Sequence, residues 1–129
     1  MSRDTLNDAM ATIKNYEMLG KEDCVIRPSS KLLIEILKIF QKSGYIGDFE
    51  VIETVPGGEV RVNMAHKINN CGAVKPRFYT KRNDIMRWEM RYLPSMDFGL
   101  LIMSTSKGIM AHKEAKENNT GGTLLAYVY

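Results

Sequence analysis

The chain has 129 residues, 44% of them hydrophobic and 26% charged, and a formal net charge of +3. That length suits one compact domain or two small lobes, and apolar runs such as "LLI" and "LLIM" stop far short of the roughly 20 residues that span a bilayer. The charge is uneven: residues 1–59 hold seven Lys/Arg against ten Asp/Glu, residues 60–91 hold eight against two, and the remainder is balanced, so the basic middle points to a polyanionic partner.

The first element is a helix. "TLNDAMATIKNYEM" places Leu6, Ala9, Met10 and Ile13 at i, i+3, i+4 and i+7, one apolar stripe, with Asp4 or Thr5 as cap and Gly20 past its end. "DCVIRP" reads as a short strand stopped by Pro28. "SSKLLIEILKIFQKSGY" is the clearest helix: Ser29 or Ser30 caps it, and Leu32, Leu33, Ile36, Leu37, Ile39 and Phe40 form a wide buried face. Gly44 suits its C′ position. "YIGDFEVIETV", "PGG" and "EVRVNMA" form a hairpin, because Val60 and Val62 alternate with Glu59, Arg61 and Asn63.

"HKINNCGAVKPRFYTKRND" reads as a joint with two strand-like scraps. "DIMRWEMRYLP" predicts a short helix stopped by Pro94, "GLLIMST" a buried strand, "IMAHKEAKEN" a helix, and "GGTLLAYVY" a final strand. The expected fold is α+β in two small lobes. Residues 1–66 form an α/β lobe of helix–strand–helix–strand–strand. Residues 67–129 form a mainly β lobe with an inserted helix.

"STSKG", at Ser104–Gly108, stands between an expected strand and an expected helix. Ser104 and Lys107 have the S-x-x-K spacing of serine acyl-enzymes, but the chain has no K-T-G or S-D-N element. A phosphate loop would need G-x-x-x-x-G-K-[ST], and here the glycine follows the lysine. Ser106 could cap the following helix, with Gly108 easing the turn. Three hydroxyls and a lysine exceed what a cap needs, and they suit contact with phosphates and the 2′-hydroxyls of folded RNA. Ser104 and Ser106 are expected to point to opposite sides, one bonding RNA and the other the protein's backbone, with the Thr105 hydroxyl free.

These residues also carry a resemblance. "SSK" at Ser29–Lys31 with "ILKIFQKSGYI", "NNCGAVKPRF", and "STSKGIM" followed by "EA" and "GG" together resemble the small-subunit ribosomal protein S eight family, over nearly the whole chain and in its archaeal form. The resemblance implies a structural, non-enzymatic component of the small ribosomal subunit. It implies primary binding to the central domain of small-subunit rRNA and help in assembling the subunit platform. Neighbouring small-subunit ribosomal proteins are implied partners, and the chain's own messenger RNA is a further one. The family's hydroxyl-rich loop falls on Ser104, Thr105, Ser106, Lys107 and Gly108, and its glycine turn on Gly121 and Gly122. Its tyrosine falls on Tyr79, and its N-terminal contacts fall on Asn15 and Lys31. Thr123 stands where bacterial members carry glutamate, so its hydroxyl would replace a charged contact. The segment Ile85–Asp97 is longer than its bacterial counterpart.

No cofactor or metal is expected. Cys24, Cys71, His66 and His112 lack the short spacings of a zinc site, and the two cysteines read as free thiols of a reduced compartment. "MSRDTLNDAM" has acids where a signal peptide starts basic and apolar, which gives a cytoplasmic expectation without membrane association. The weaker alternatives are a small serine enzyme using Ser104 and Lys107, and a protein–protein adaptor. Trp88 reads as packing, the nine methionines as core filler, and His112, Glu114 and Glu117 as an exposed helix face.

Overall fold

A computed structural model describes residues 5–27, 29–74, 77–95 and 98–129. The expected caps of the first helix (Asp4 and the Thr5 side chain) and the expected strand end at Pro28 lie outside what it describes. The chain divides into two compact units, Met1–Asn69 and Asn70–Tyr129.

In the first unit, α1 (Thr5–Met18) buries Leu6, Ala9, Met10 and Ile13. The next helix, α2 (Lys31–Lys42), buries Leu33, Ile36, Leu37 and Phe40, and Ser30 caps it by accepting the Leu33 N–H at 3.1 Å. Both helices end in the same way. Gly20 and Gly44 take φ of 71° and 84°, a left-handed conformation that costs glycine nothing. The flanking N–H groups then close onto the last turn: Lys21 onto Tyr16 O and Gly20 onto Glu17 O, Tyr45 onto Phe40 O and Gly44 onto Gln41 O.

Beneath the helices lies an antiparallel sheet in the order β1 (Asp23–Ile26), β3 (Glu59–Met64), β2 (Ile46–Ile52). Cys24 pairs with Val62, and Ile26 with Val60. Period-two alternation therefore puts these buried side chains on one face. Asp23, Val25, Arg61 and Asn63 occupy the other and are exposed. Glu59 is buried on that outer side because Arg27 and Arg61 both pair with it. Their guanidinium groups hold its carboxyl below the usual carboxylate range, with the Arg27 hydrogen bond contributing most. Cys24 is fully buried, which pushes its thiol up to about 11.

The second unit is a five-stranded antiparallel sheet. Its main order is β4 (Cys71–Ala73), β8 (Gly122–Val128), β6 (Leu100–Thr105), β7 (Gly108–Ala111), and β5 (Tyr79–Thr80) also pairs with β8. A 3-10 turn at Arg82–Asp84 leads into α3 (Ile85–Tyr92), and α4 (His112–Glu117) follows β7. Val74, Ile85, Leu101, Met103, Met110, Ala115 and Leu124 are in its core.

α3 gives the long segment after Ile85 a structural role. It presents Ile85 and Glu89 to the core and lays Trp88 and Tyr92 into a file of stacked rings. Phe78–Trp88, Trp88–Tyr92, Tyr92–Tyr127 and Tyr127–Tyr129 centroids are 4.8, 6.3, 5.4 and 6.3 Å apart. Each such pair contributes about 0.5–1.5 kcal/mol beyond its buried area. Trp88 is thus a packing residue. The methionines divide: Met10, Met64, Met103 and Met110 fill the core, whereas Met18, Met86 and Met90 are exposed.

One element differs from expectation. Gly108–Ala111 is a strand, not the first turn of a helix, and the helix begins only at His112. "GIMA" is too short for its period to decide between helix and strand. Pairing with β6 decides it, with Met110 opposite Met103 and Ile109 opposite Ser104. Ser106 therefore caps no helix; the residue before α4 is Ala111, and its side chain makes no capping bond. Among the described residues no helix is long and apolar enough to cross a membrane, and no group of three or more His, Cys, Asp or Glu is placed to hold a metal ion.

Candidate nucleic-acid interface

"STSKG" is the end of one strand, a turn and the start of the next. Thr105 pairs with Gly108 across the β6–β7 hairpin, leaving Ser106 and Lys107 at the tip. The Thr105 hydroxyl closes this turn: it donates to Gly108 O at 2.8 Å and accepts the Lys107 N–H at 3.1 Å. The roles expected within the loop are therefore redistributed. Thr105 is the residue spent on the protein's own backbone. Among the described residues no hydrogen bond engages the hydroxyl of Ser104 or Ser106. Nor does strand geometry separate those two serines, since residues two apart share a face; what sets Ser106 apart is its place in the turn. Gly108 adopts φ of 119°, and nothing lies within 4 Å of where its Cβ would be.

Sheet register brings the other expected residues to this hairpin. Tyr79 is opposite Thr123, Thr123 is opposite Ser104, and Ser104 is opposite Ile109. Directly paired residues carry their side chains on the same face, so Tyr79, Thr123 and Ser104 make one row across β5, β8 and β6. Their chain neighbours Leu124, Met103 and Met110 point the other way, into the core. Tyr79 is 69% exposed, and Thr123 and Ser104 are half-buried. The row presents one ring and three hydroxyls.

The paired glycines serve this geometry through packing. A Cβ on Gly122 would be 2.4 Å from Ser104 O, and one on Gly121 would be 2.4 Å from Thr80 O. Both neighbours are backbone, which cannot turn aside. Lacking side chains, Gly121 and Gly122 let β8 start tight against β5 and β6, and this fixes the spacing of the row. Asn15 and Lys31 stand in the first unit, both exposed, on α1 and at the start of α2.

The second unit sorts its cations into two sets. Lys116 is paired with buried Glu89, and Arg82 Nε donates to Lys116 O at 3.2 Å. Arg77, Lys81, Arg87, Arg91, Lys107 and Lys113 are exposed, with no ion pair to any described residue. Charges without a described partner are the ones placed to attract an anion.

Sequence reasoning missed the polar cluster beneath the sheet. His112 is fully buried, not exposed. β7 ends at Ala111, opposite Ile102, and the chain turns helical one residue later. The Leu101 N–H then finds the His112 side chain, whose Nδ1 accepts it at 3.0 Å. An accepting Nδ1 puts the proton of the neutral ring on Nε2, which stands 3.7 Å from Glu89 Oε2. Burial lowers the His112 pKa below the usual histidine value, against an opposing pull from Glu89. The helical spacing of Ile85, Trp88, Glu89 and Tyr92 was the available sign that Glu89 faces inward. No comparable signal marked His112.

The family model for ribosomal protein S8 matches residues 4–129. Curated relatives extend over the whole chain. The small ribosomal subunit protein uS8 of Picrophilus torridus is 50% identical over 129 residues, covering 100% of both chains. Those of Archaeoglobus fulgidus and Methanosphaerula palustris are 49% and 48% identical, again over 100% of each chain. With the fold, the hairpin and the glycine turn in place, the match from end to end shows that this chain belongs to the ribosomal protein S8 family.

Proposed function

We propose that the chain is a structural component of the small ribosomal subunit that binds small-subunit rRNA directly. The row of Tyr79, Thr123 and Ser104 beside the Ser106–Lys107 hairpin tip is the observation that carries this reading. Small hydroxyls with no hydrogen bond to any described residue suit the sugar edge and phosphates of a folded RNA, and an exposed ring suits stacking on a base. Lys107 supplies charge at the tip. Full-length similarity to the archaeal uS8 proteins supports the subunit and the partner.

The finer reading puts the RNA site in the central domain, where binding organises the subunit platform during assembly. Residues 67–129 hold the main site, and Asn15 and Lys31 add contacts from the first unit. A messenger segment that reproduces the rRNA site is a second partner for the same surface. No step of this reading is catalytic.

Footprinting on small-subunit rRNA, combined with affinities of point variants, tests the proposal. Ser104→Ala removes one neutral hydrogen bond and should cost about 0.5–1.5 kcal/mol of binding. Lys107→Ala should weaken cognate and unrelated RNA alike, because its charge reads phosphate and not sequence. If Ser104→Ala, Ser106→Ala and Lys107→Ala all bind the protected RNA like the parent, at unchanged stability, the hairpin is not the site.

A further inference from the structure

α3 has a second face that the core does not use. Ile85, Trp88, Glu89 and Tyr92 point inward. Met86, Arg87, Met90 and Arg91 lie on the other side and, with Asn83 and Asp84, line one open groove. Met86 and Met90 are 50% and 74% exposed. The charge of this face is lopsided. Arg87 and Arg91 stand four residues apart on one helix, a like-charge spacing that mildly destabilises it, and neither has an ion pair among the described residues. Asp84 is the acid at hand, and Glu89 is buried against Lys116.

Arg91 is also held in place. Its guanidinium carbon lies 5.5 Å from the Trp88 ring centre, 5.7 Å from Tyr92 and 5.9 Å from Phe78. Contact with ring faces restrains the planar group. A guanidinium fixed in this way loses little entropy on binding, and its fork geometry matches phosphate oxygens.

We infer that the outer face of α3 is a second RNA-contact surface, with Arg91 and Arg87 taking backbone phosphates of an RNA segment distinct from the one at the hairpin. This rests on the proposed rRNA-binding reading and adds a partner segment to it. Two segments follow from the sheet. Ile85 of α3 packs with Leu124 and Met103, whereas the Tyr79–Thr123–Ser104 row occupies the opposite face. Phe78, just before β5, and Tyr79, its first residue, show the division: Phe78 stacks on Trp88 of α3 and Tyr79 belongs to the row. A protein segment covering the methionines would have to carry acids to neutralise the two arginines, which an RNA backbone does at every residue.

The test uses the full chain with two RNAs, the complete small-subunit rRNA and the shortest fragment that the wild type still binds, over a salt series. Arg87→Ala is the safe variant, because Arg87 is exposed and forms no ion pair with any described residue; Arg91→Ala and Arg91→Lys follow, with thermal unfolding measured for each. On the complete rRNA, Arg87→Ala and Arg91→Ala should each weaken binding several-fold. Each should also reduce the slope of log affinity against log salt by about 0.9. Arg91→Lys should restore the slope but not all the affinity, and the short fragment should bind every variant equally. Backbone cleavage mapping should show one protected patch lost from the complete rRNA. Unchanged affinity and slope for Arg87→Ala and Arg91→Ala on the complete rRNA overturn the inference. So does wild-type RNA binding by variants that have lost affinity for a polyglutamate peptide, which would mark an acidic protein partner. Ser104→Ala with Ser106→Ala in the same assay separates the two claims: loss in that variant alone sinks the α3 surface, and loss in the arginine variants alone sinks the hairpin.

Discussion

His112→Leu is the substitution whose outcome depends most closely on the buried geometry. The Leu101 residue is fully buried, and its N–H has the His112 Nδ1 as acceptor at 3.0 Å. Leucine fills much of the same volume and offers no acceptor. Orphaning a buried N–H costs about 1–3 kcal/mol, whereas His112 Nε2, 3.7 Å from Glu89 Oε2, has no hydrogen-bond partner among the described residues, so its removal takes no hydrogen bond from the carboxylate. The pH dependence has a definite sign. Burial lowers the folded-state pKa of His112, so on acidification the unfolded chain takes up this proton first, starting near its own value of about 6.5. Stability that is present above that value is lost as pH falls toward the folded pKa, by at most about 1.4 kcal/mol per pH unit. Protonation also removes the acceptor from Leu101. The leucine variant cannot titrate, so its deficit should be largest near pH 7.5 and shrink toward pH 5.5. Urea unfolding followed by Trp88, the single tryptophan and a member of the same core, gives the measurement. A variant as stable as the parent at pH 7.5, or a deficit that stays constant to pH 5.5, refutes the assigned acceptor role.

Gly122→Ala should destabilise the second unit by about 1–3 kcal/mol, the usual cost of overpacking, because its Cβ would be 2.4 Å from Ser104 O; RNA affinity should fall with it, as seen by unfolding and binding on one preparation. Ser30→Ala removes the hydroxyl that accepts the Leu33 N–H and should cost about 1 kcal/mol in denaturant midpoint without altering RNA affinity. Glu59→Gln should flatten the acid limb of the stability curve. The depressed folded pKa of Glu59 contributes stability above its unfolded value, lost as pH falls through the folded one. Cys24 should resist thiol reagents at pH 8 in the folded chain, because its thiol is buried and raised to about 11; fast labelling of Cys24 would contradict that burial.

The elements that were legible in the sequence owe their form to local chemistry. The stripe Leu33–Ile36–Leu37–Phe40 with Ser30 before it and Gly44 after it needs nothing distant to become a helix, and α2 forms with that cap and that C′ glycine. The hairpin of β2 and β3 was equally local. "GIMA" was not, since four residues between a turn and a helix carry no period. Its partner, Ile102–Thr105, lies across a hairpin whose two-residue tip looked like a helix entry. The same misreading of this stretch hid His112. A helix face was expected where the chain is still leaving a strand, and a histidine at that point completes the strand's hydrogen bonding with its side chain.

The candidate site divides along the same line. Residue type could nominate Ser104, Ser106, Lys107 and Tyr79 as polar donors near a basic segment, but only register puts Tyr79 and Thr123 in one row with Ser104. Register depends on where β8 starts. Gly121 and Gly122 set that start, by allowing backbone carbonyls of Thr80 and Ser104 to come closer than any side chain permits. The glycines that resemble a contact motif therefore act first as spacers. The row exists because two residues carry no Cβ, and the hydroxyls of Ser104 and Thr123 are at one height on one face as a result. Thr105 makes the complementary contribution. By spending its own hydroxyl on the turn, it fixes the tip and leaves the two serines on either side of it for a partner. A loop that reads as three equivalent hydroxyls is thus one structural threonine between two available serines. The separation follows from hairpin pairing, which residue types alone do not reveal.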